Sequence, residues 1–490
     1  MFWLKNRTVL MCANANPRIG TRLVRRCIAL ADHLSQFGFQ THWVTPQLPV
    51  SLRKKIASQR AGHSIANVAD SDFDLSDYVD ELSPAWTVMA GSHENTLEAV
   101  ESKRNLRLSD GSDWRSSVVS VGGEVQVFDE PKYSIACEPE NDDLELKSRV
   151  RRIAWIYDSD TDCDIKAAVI KFIQNNAKKS FSVDLLATEN QSDAQDLAGE
   201  IQDAGHSVRV HSSADRLESL LMFADVAIAS NSHWVAELSL QNLPVLFLAG
   251  QENDDPLVDG LYKRGAIEWV QKSTEPRGIQ KQIARFFNNV ELRRERCQES
   301  FKLYDELGAE RIARAMAAGM FHFRRCEMAD GDRLLDWRND PELRVVCFDS
   351  RRIERDEHFD WLSNQIDSDH SEIFIIENEN GQSVGQFRLE YDDRFETAQL
   401  NLGVIPSLRG MGIGTGLLER VCRDAMARRR DLEVYANIRT TNVISQTALR
   451  KAGFKPVSTM MIRGQVSIRF SMQRFDARAA EVNYQYKKAS

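Results

Sequence analysis

Residues Leu400 to Val421 constrain this chain more than any other stretch. Leu400-Asn401-Leu402-Gly403-Val404-Ile405 reads as an apolar-rich strand, Pro406-Ser407-Leu408 as a short turn, and Gly416-Leu417-Leu418-Glu419-Arg420-Val421 as a helix. Between turn and helix stand Arg409 and the alternating glycines Gly410, Gly412 and Gly414, interleaved with Met411, Ile413 and Thr415. A strand that runs into a helix through such a loop must turn sharply, and glycine permits both the turn and the close approach of a ligand. The loop amides then converge at the helix N-terminus, where the dipole adds partial positive charge and Arg409 a full one. Such a junction is built to hold a pyrophosphate.

A second anchor lies downstream, in Asn442, Ser445 and Lys451-Ala452-Gly453-Phe454. Together the two segments resemble the acyl-CoA site of the GNAT superfamily of N-acetyltransferases. That family's loop has the form Arg/Gln-x-x-Gly-x-Gly/Ala, matched by Arg409, Gly412 and Gly414. Its later helix commonly reads Asn-x-x-Ala/Ser, then a basic residue and a Gly-Phe ending, matched by Asn442, Ser445, Lys451, Gly453 and Phe454. An ordinary turn followed by an unrelated helix capped by Asn442 would not set both patterns in order and at the family's spacing. The resemblance implies acetyl-CoA as co-substrate, without a metal. It would be held by Leu402, Val404, Arg409, Gly410, Met411, Gly412, Ile413, Gly414, Thr415, Asn442 and Ser445.

At 490 residues the chain exceeds what one core usually serves, and about three domains are expected. A net charge of −9 argues against nucleic-acid or anionic-membrane partners. No apolar run approaches the roughly 20 residues that span a bilayer. Met1–Cys12 reads as a strand and not as a signal peptide, because Lys5 and Arg7 interrupt its apolar core. Eight scattered cysteines without a C-x-x-C pair suit reduced thiols in a cytoplasmic protein and give no metal site.

Strand-like and helix-like runs alternate in the first third: Thr8–Cys12, Thr21–Gln36 and Thr41–Thr45. The pattern blurs from Gln47 to Lys132. It returns with strands at Ile153–Tyr157, Ser182–Leu186, Ser207–His211, Val226–Ala229 and Val245–Leu248. Helices are expected between them at Ile165–Asn176, Ala194–Ala204, Ala214–Phe223 and His233–Leu240, followed by a charged helical stretch over Ile279–Met320. Such alternation predicts parallel sheets wrapped on both faces. The expected class is α/β, with two Rossmann-like lobes of the glycosyltransferase-B kind (residues 1–146 and 147–318). An α+β acetyltransferase domain with a mixed sheet (321–475) and a polar tail (476–490) follow.

The amino-terminal region carries a second resemblance, to the UDP-sugar hydrolase of pseudaminic acid biosynthesis. It rests on Arg18-Ile19-Gly20-Thr21 with the helix from Arg26-Cys27, on Pro131–Ile135, and on Ala224–Ala229 with Glu237-Leu238 and Leu243-Pro244-Val245. The departures matter more. Leu23 stands where that family's catalytic histidine belongs, and leucine moves no proton. Asp158-Ser159-Asp160 and Asn231-Ser232-His233-Trp234 replace glycine-rich turns that would cradle a diphosphate. Glu237 matches an acid that contacts the ribose in that family, or is a solvent-facing helix glutamate. The lobes read as having lost hydrolase chemistry, and either bind a sugar nucleotide or act as scaffold.

Trp337-Arg338-Asn339-Asp340-Pro341, with Glu357-His358-Phe359-Asp360-Trp361, resembles two groups of acetyltransferase. One acetylates the 4-amino group of a UDP-linked amino sugar in pseudaminic acid synthesis; the other modifies ribosomal-protein amino termini. Arg338 and Asn339 are the substrate-binding candidates. Pathway association with the hydrolase resemblance favours the small-molecule amino-sugar nucleotide. Residues 331–400 sum to −10 and residues 401–480 to +9, which suggests an acidic wall for a cationic amine opposite a basic cofactor side.

The attacking amine must lose a proton, and Glu390 is the leading acceptor, with Asp392, Asp393 and Glu396 behind it. The backbone at Val404 would polarise the thioester carbonyl. The family's usual tyrosine acid is replaced by Leu449, which leaves Tyr435 or Tyr391 as candidates.

Overall fold

A computed structural model describes residues 7–13, 22–59, 62–65, 75–90, 104–108, 117–121, 124–128, 146–158, 161–176, 180–187, 191–212, 220–221, 223–230, 234–235, 238–239, 243–249, 256–271, 276–303, 307–429 and 431–472. These fall into two compact units, which divide between Ile312 and Ala313.

The first unit contains two sheets. One is built from β1 (Thr8–Ala13), α1 (Arg22–Gln36), β2 (Gln40–Thr45), α2 (Val50–Ser58), β3 (Gly62–Ile65), α3 (Ser76–Leu82), β4 (Trp86–Ala90), β5 (Arg104–Leu108), β6 (Ser117–Val121) and β7 (Glu124–Phe128). Its order is β3-β2-β1-β4-β5-β6-β7, parallel as far as β5 and antiparallel beyond. The other contains β8 (Arg152–Tyr157), α4 (Cys163–Asn175), β9 (Ser182–Ala187), α5 (Gln191–Asp203), β10 (Ser207–His211), β11 (Val226–Ala229), β12 (Val245–Leu248), α6 (Pro256–Lys263) and β13 (Glu268–Val270). Helices α7 (Pro276–Asn288) and α8 (Val290–Leu303) follow.

The second sheet is wholly parallel, in the order β10-β9-β8-β11-β12-β13. Counted along the chain, its strands run 3-2-1-4-5-6, the order of a doubly wound sheet. The near-continuous apolar runs follow from burial on both faces. Alternation along β8 sends Ile153, Trp155 and Tyr157 into a core with α4, α5 and α7, and Ala154 and Ile156 into a second core with α6.

Several expected elements differ. The expected helical stretch from Ile279 to Met320 is present, divided into α7, α8 and α9 (Gly308–Gly319). The side chain of Asn289 accepts from the Leu292 amide and restarts the helix after α7. The blurred region from Gln47 to Lys132 contains ordered elements from α2 to β7, including the wholly buried β4. The expected helices at Ala214–Phe223 and His233–Leu240, and the polar tail, lie wholly or largely outside the described residues.

The second unit begins within α9. It contains β14 (His322–Arg325), α10 (Gly331–Asn339), α11 (Pro341–Val346), α12 (Arg355–Ile366), β15 (Ser371–Glu377), β16 (Ser383–Tyr391), β17 (Thr397–Val404), α13 (Ile413–Arg428), β18 (Glu433–Arg439), α14 (Val443–Lys451), β19 (Lys455–Ile462) and β20 (Gln465–Met472). The sheet is mixed, in the order β14-β15-β16-β17-β18-β20-β19, and only β17 and β18 are parallel neighbours. Parallel neighbours need a crossover, and α13 supplies it. On one face, Leu334 of α10 and Leu362 of α12 pack on Ile373 and Ile375, with Trp337 and Trp361 at the margin.

Helix α13 is drawn tightly onto the end of α9. A Cβ on Gly416 would lie 2.6 Å from the carbonyl oxygen of Arg314, and the buried pair Arg314–Glu419 closes the same interface at 3.0 Å. Gly416→Ala should therefore lower stability by about 1–3 kcal/mol through overpacking, despite alanine's better helix propensity. Thermal unfolding of the full chain checks this.

Arg324 binds buried Asp330 through two bonds of 2.7 Å, and Asp330 also accepts from the Glu327 amide at 3.0 Å. The bond from Arg324, above all, holds this carboxyl below its ordinary range. A depressed folded-state pKa gives stability that is present above the unfolded value and lost as pH falls through the folded one. Asp330→Asn should cost on the order of 2 kcal/mol near neutrality. The gap from the unmodified chain should close below about pH 4 in pH-dependent denaturation.

Candidate active site

The glycine loop takes the shape its sequence demands. Gly410 and Gly412 have φ of +76° and +78°, a left-handed backbone, and Gly412 is the N-cap of α13. The amides of Thr415 and Gly416 bond back to the Gly412 carbonyl. Among the described residues, nothing accepts from the amides of Gly410, Met411, Gly412, Ile413 or Gly414. Five successive amides at a helix N-terminus fit a pyrophosphate. Gly414 sharpens the fit, since it has an ordinary backbone and a Cβ there would meet open space. The fold itself does not require glycine at this position, and a small residue, Gly or Ala, leaves the backbone open to a ligand.

Arg409 is not free. Its guanidinium donates to Glu342 at 2.8 Å and to the Val404 carbonyl at 3.3 Å, and lies 3.7 Å from Asp340. The pyrophosphate arginine is thus tied to the first turn of α11.

Beside the loop, two strands part. β17 pairs with β16 from Ala398 to Val404, but with β18 only at Thr397, Ala398 and Gln399. From Leu400 onward, the edge of β17 that faces β18 is unpaired by it. Leu402 and Val404 lie on this open edge, where an extended chain with amide groups fits as an added strand.

The second motif is largely architectural. Asn442 caps α14 by accepting from the Ser445 amide at 3.1 Å. Gly453, at φ +97°, ends the same helix, with the Phe454 amide bonded to the Leu449 carbonyl and Phe454 buried.

The floor is a row of polar side chains on one face of the sheet. Register places Glu390 beside Gln399, Gln399 beside Tyr435, and Tyr435 beside Ser471. Adjacent on this face are Arg388, Asn401, Asn437 and Arg469. Arg388 pairs with Glu390 at 3.2 Å and lies over the Trp361 ring at 5.0 Å; Asn401 donates to Glu390 at 3.4 Å. Arg469 lies 4.0 Å over the Tyr435 ring, and Asn437 donates to Gln399 at 3.3 Å. Glu390 and Tyr435 are two strand spacings apart, roughly 10 Å, so they flank Gln399 without touching. The sequence reading missed Arg388, Gln399, Asn401, Asn437 and Arg469. The alternation Gln386-x-Arg388-x-Glu390 against Gln399-x-Asn401 was the available signal.

Other expectations are corrected. Asn339 is not free to bind substrate, because its side chain donates to the Ile353 carbonyl and accepts from the Ile353 amide, both at 2.9 Å. Arg338 donates to the Asp349 carbonyl through one nitrogen but, unlike Asn339, keeps a donor without a partner among the described residues, so it is not removed as a substrate-binding candidate. Tyr391 points to the opposite face of β16 and donates to Glu372 at 2.9 Å. Burial first, then Glu372, pushes its hydroxyl up to about 12. Asp392 accepts from the Glu396 and Thr397 amides and closes the β16–β17 turn, away from the parted strands. Leu449 is buried. The acidic segment is partly neutralised, since some of its carboxylates pair locally: Asp332 with Arg355, Glu357 with Arg351, and Glu372 with Arg325 and Arg428.

In the amino-terminal unit Leu23 is fully buried. Asp225 accepts from the Arg151 and Arg152 amides and pairs with Lys147, at the amino-terminal end of β11, opposite the end where doubly wound sheets bind ligands. At the ligand end of β8, Asp162 caps α4 by accepting from the Asp164 and Ile165 amides. Its carboxylate occupies donors that a phosphate would need. Residues 14–21, 131–135, 159–160, 231–233 and Glu237 lie outside the described residues. Among the described residues no group of three or more His, Cys, Asp and Glu could hold a metal, and no helix is long and apolar enough to cross a membrane.

Residues 321–455 match the family model described as an acetyltransferase (GNAT) domain. No curated protein matches the chain. Among solved structures, the spermidine N-acetyltransferase of Vibrio cholerae in complex with CoA and spermine is similar at 16% identity. The match covers 32% of this chain and 98% of that one, with a TM-score of 0.30. AAC(6')-Ib in complex with ribostamycin and coenzyme A is similar at 14% identity over 32% of this chain and 96% of that one, with a TM-score of 0.29. The chain carries an N-acetyltransferase domain in its carboxy-terminal unit.

Substitutions at Gly414 separate the fold from the site. Stability should hold or rise by up to about 1 kcal/mol, because the position is helical and open. Acetyl-CoA affinity should change by less than about tenfold in Gly414→Ala, because the loop pattern admits alanine here, whereas Gly414→Leu should lower it by roughly tenfold or more as the side chain keeps the anion from the amides. Calorimetry and thermal unfolding on the same sample check both halves.

Proposed function

We propose that this chain transfers the acetyl group of acetyl-CoA to the primary amine of a sugar-linked nucleotide, in the cytoplasm and without a metal. The observation that carries the acetyl-CoA reading is the run of five unpartnered amides, Gly410–Gly414, leading to the open edge of β17. When bound, acetyl-CoA supplies an activated thioester. The protein orients it through the loop amides and the backbone of Leu402 and Val404.

The acceptor lies on the polar row. Glu390, held by Arg388 and Asn401, faces the amine and receives its proton directly or through water. Tyr435 lies on the other side of Gln399 and is placed to protonate the departing thiolate. The resemblance of the amino-terminal unit to a UDP-sugar hydrolase supports a nucleotide-linked acceptor by pathway association. Capped α4 and buried Leu23 favour a scaffold role for that unit over hydrolysis.

Thiol release from acetyl-CoA should accelerate with a 4-amino UDP-sugar, and not with amino-terminal peptides; the reverse result would replace the acceptor class. Glu390→Gln should lower kcat by about 10² or more with little change in the KM for acetyl-CoA, measured by steady-state kinetics. An unchanged kcat would remove Glu390 as the proton acceptor.

A further inference from the structure

The segment from Val345 to Ser350, which leads from α11 towards α12, is gripped by cationic side chains. Arg439 of β18 donates to the carbonyls of Val345 and Cys347. Arg338 donates to the Asp349 carbonyl at 2.6 Å and Arg344 to the Ser350 carbonyl at 3.4 Å, while Gln465 donates to Phe348 at 3.2 Å. Arg351 and Arg463 share the Asp349 carboxylate at 3.0 Å each, and Arg351 also pairs with Glu357.

Five arginines thus meet two carboxylates, Asp349 and Glu357. Backbone carbonyls solvate a guanidinium without neutralising it, so positive charge is left over. Two donors in the group, Nη1 of Arg338 and Nε of Arg344, are buried and have no partner among the described residues. An unmade donor on a buried charged group carries a free-energy cost, and such groups in a native fold call for a reason. Arg338 and Arg344 grip adjacent residues of the segment, Asp349 and Ser350. Arg439 follows Tyr435 and Asn437 on the same face of β18, which puts the segment at one end of the polar row.

We infer that Arg338 and Arg344 form a subsite for a phosphate group of the acceptor. This rests on the proposed acceptor class and names the residues that select it: an amine carrying a phosphate gains counter-charge here, and a polycationic amine does not. The competing source of a phosphate is the 3′-phosphate of CoA.

The test titrates the full chain, saturated with CoA so that the glycine loop is filled, with inorganic pyrophosphate in a calorimeter. The expected result is binding that weakens roughly tenfold or more in Arg344→Gln and is partly restored in Arg344→Lys. If Arg344→Gln does not fold, Arg338→Gln is read in the same way. No pyrophosphate binding, or equal binding by the variants, overturns the subsite. CoA and dephospho-CoA, titrated against the same variants, separate the two sources. A loss for CoA alone assigns the arginines to its 3′-phosphate and likewise overturns the inference. The readout needs no turnover, so failure to acetylate amino-sugar nucleotides and failure of the subsite remain distinct results.

Discussion

The acetyltransferase unit depends on two parallel strands that pair and then part. β17 and β18 hold each other at Thr397–Gln399 and no further, because the chain leaves β17 through the glycine loop and returns along α13. The helix is fixed at its second turn, where Gly416 meets the Arg314 carbonyl and Glu419 meets Arg314. A buried pair of this kind contributes little net stability and much positional definition, since removing either partner strips a buried charge of this bond. With α13 fixed there, its N-terminus stands at the end of the open strand edge. One geometric decision therefore supplies both an anion site and an edge for an extended ligand.

Charge in this unit is organised by pairs, not by halves of the sequence. The acidic segment before residue 400 is partly neutralised, because several of its carboxylates close ion pairs within the unit. Asp330 binds Arg324 and Arg333, Glu377 binds Arg324, and Glu390 binds Arg388. Around Val345–Ser350 the local balance is positive. The link from Arg409 to Glu342 has a further consequence. A pyrophosphate held by Arg409 would compete with Glu342 for the same guanidinium.

What the sequence made legible was backbone geometry. Alternating glycines after an apolar strand admit few conformations, so Gly410, Gly412 and Gly414 could be read without coordinates. The strands of the second sheet could be read for a similar reason, since burial on both faces writes continuous apolar runs. Side-chain roles were less legible. Asn339 and Asn442 belong to recognisable motifs, yet both are spent on backbone groups of their own unit. The polar row was missed because its members are single residues on four strands whose register no local pattern specifies. Tyr391 and Glu390 are adjacent in sequence and point to opposite faces, a distinction that the strand period alone would have drawn.

The same reasoning bears on the amino-terminal unit. Its second sheet has the strand order that binds nucleotides in many folds, and order alone is a weak guide to function. Binding at such a sheet uses free amides at the helix after the first strand. In α4 two of those amides are already bonded to Asp162, whose charge would also oppose a phosphate. Leu23 lies inside the core that anchors α1, where a histidine would be buried and cut off from water. The two departures act on different steps, anion binding and proton transfer. Restoring one leaves the other in place, and both weigh on the side of the scaffold role proposed for this unit.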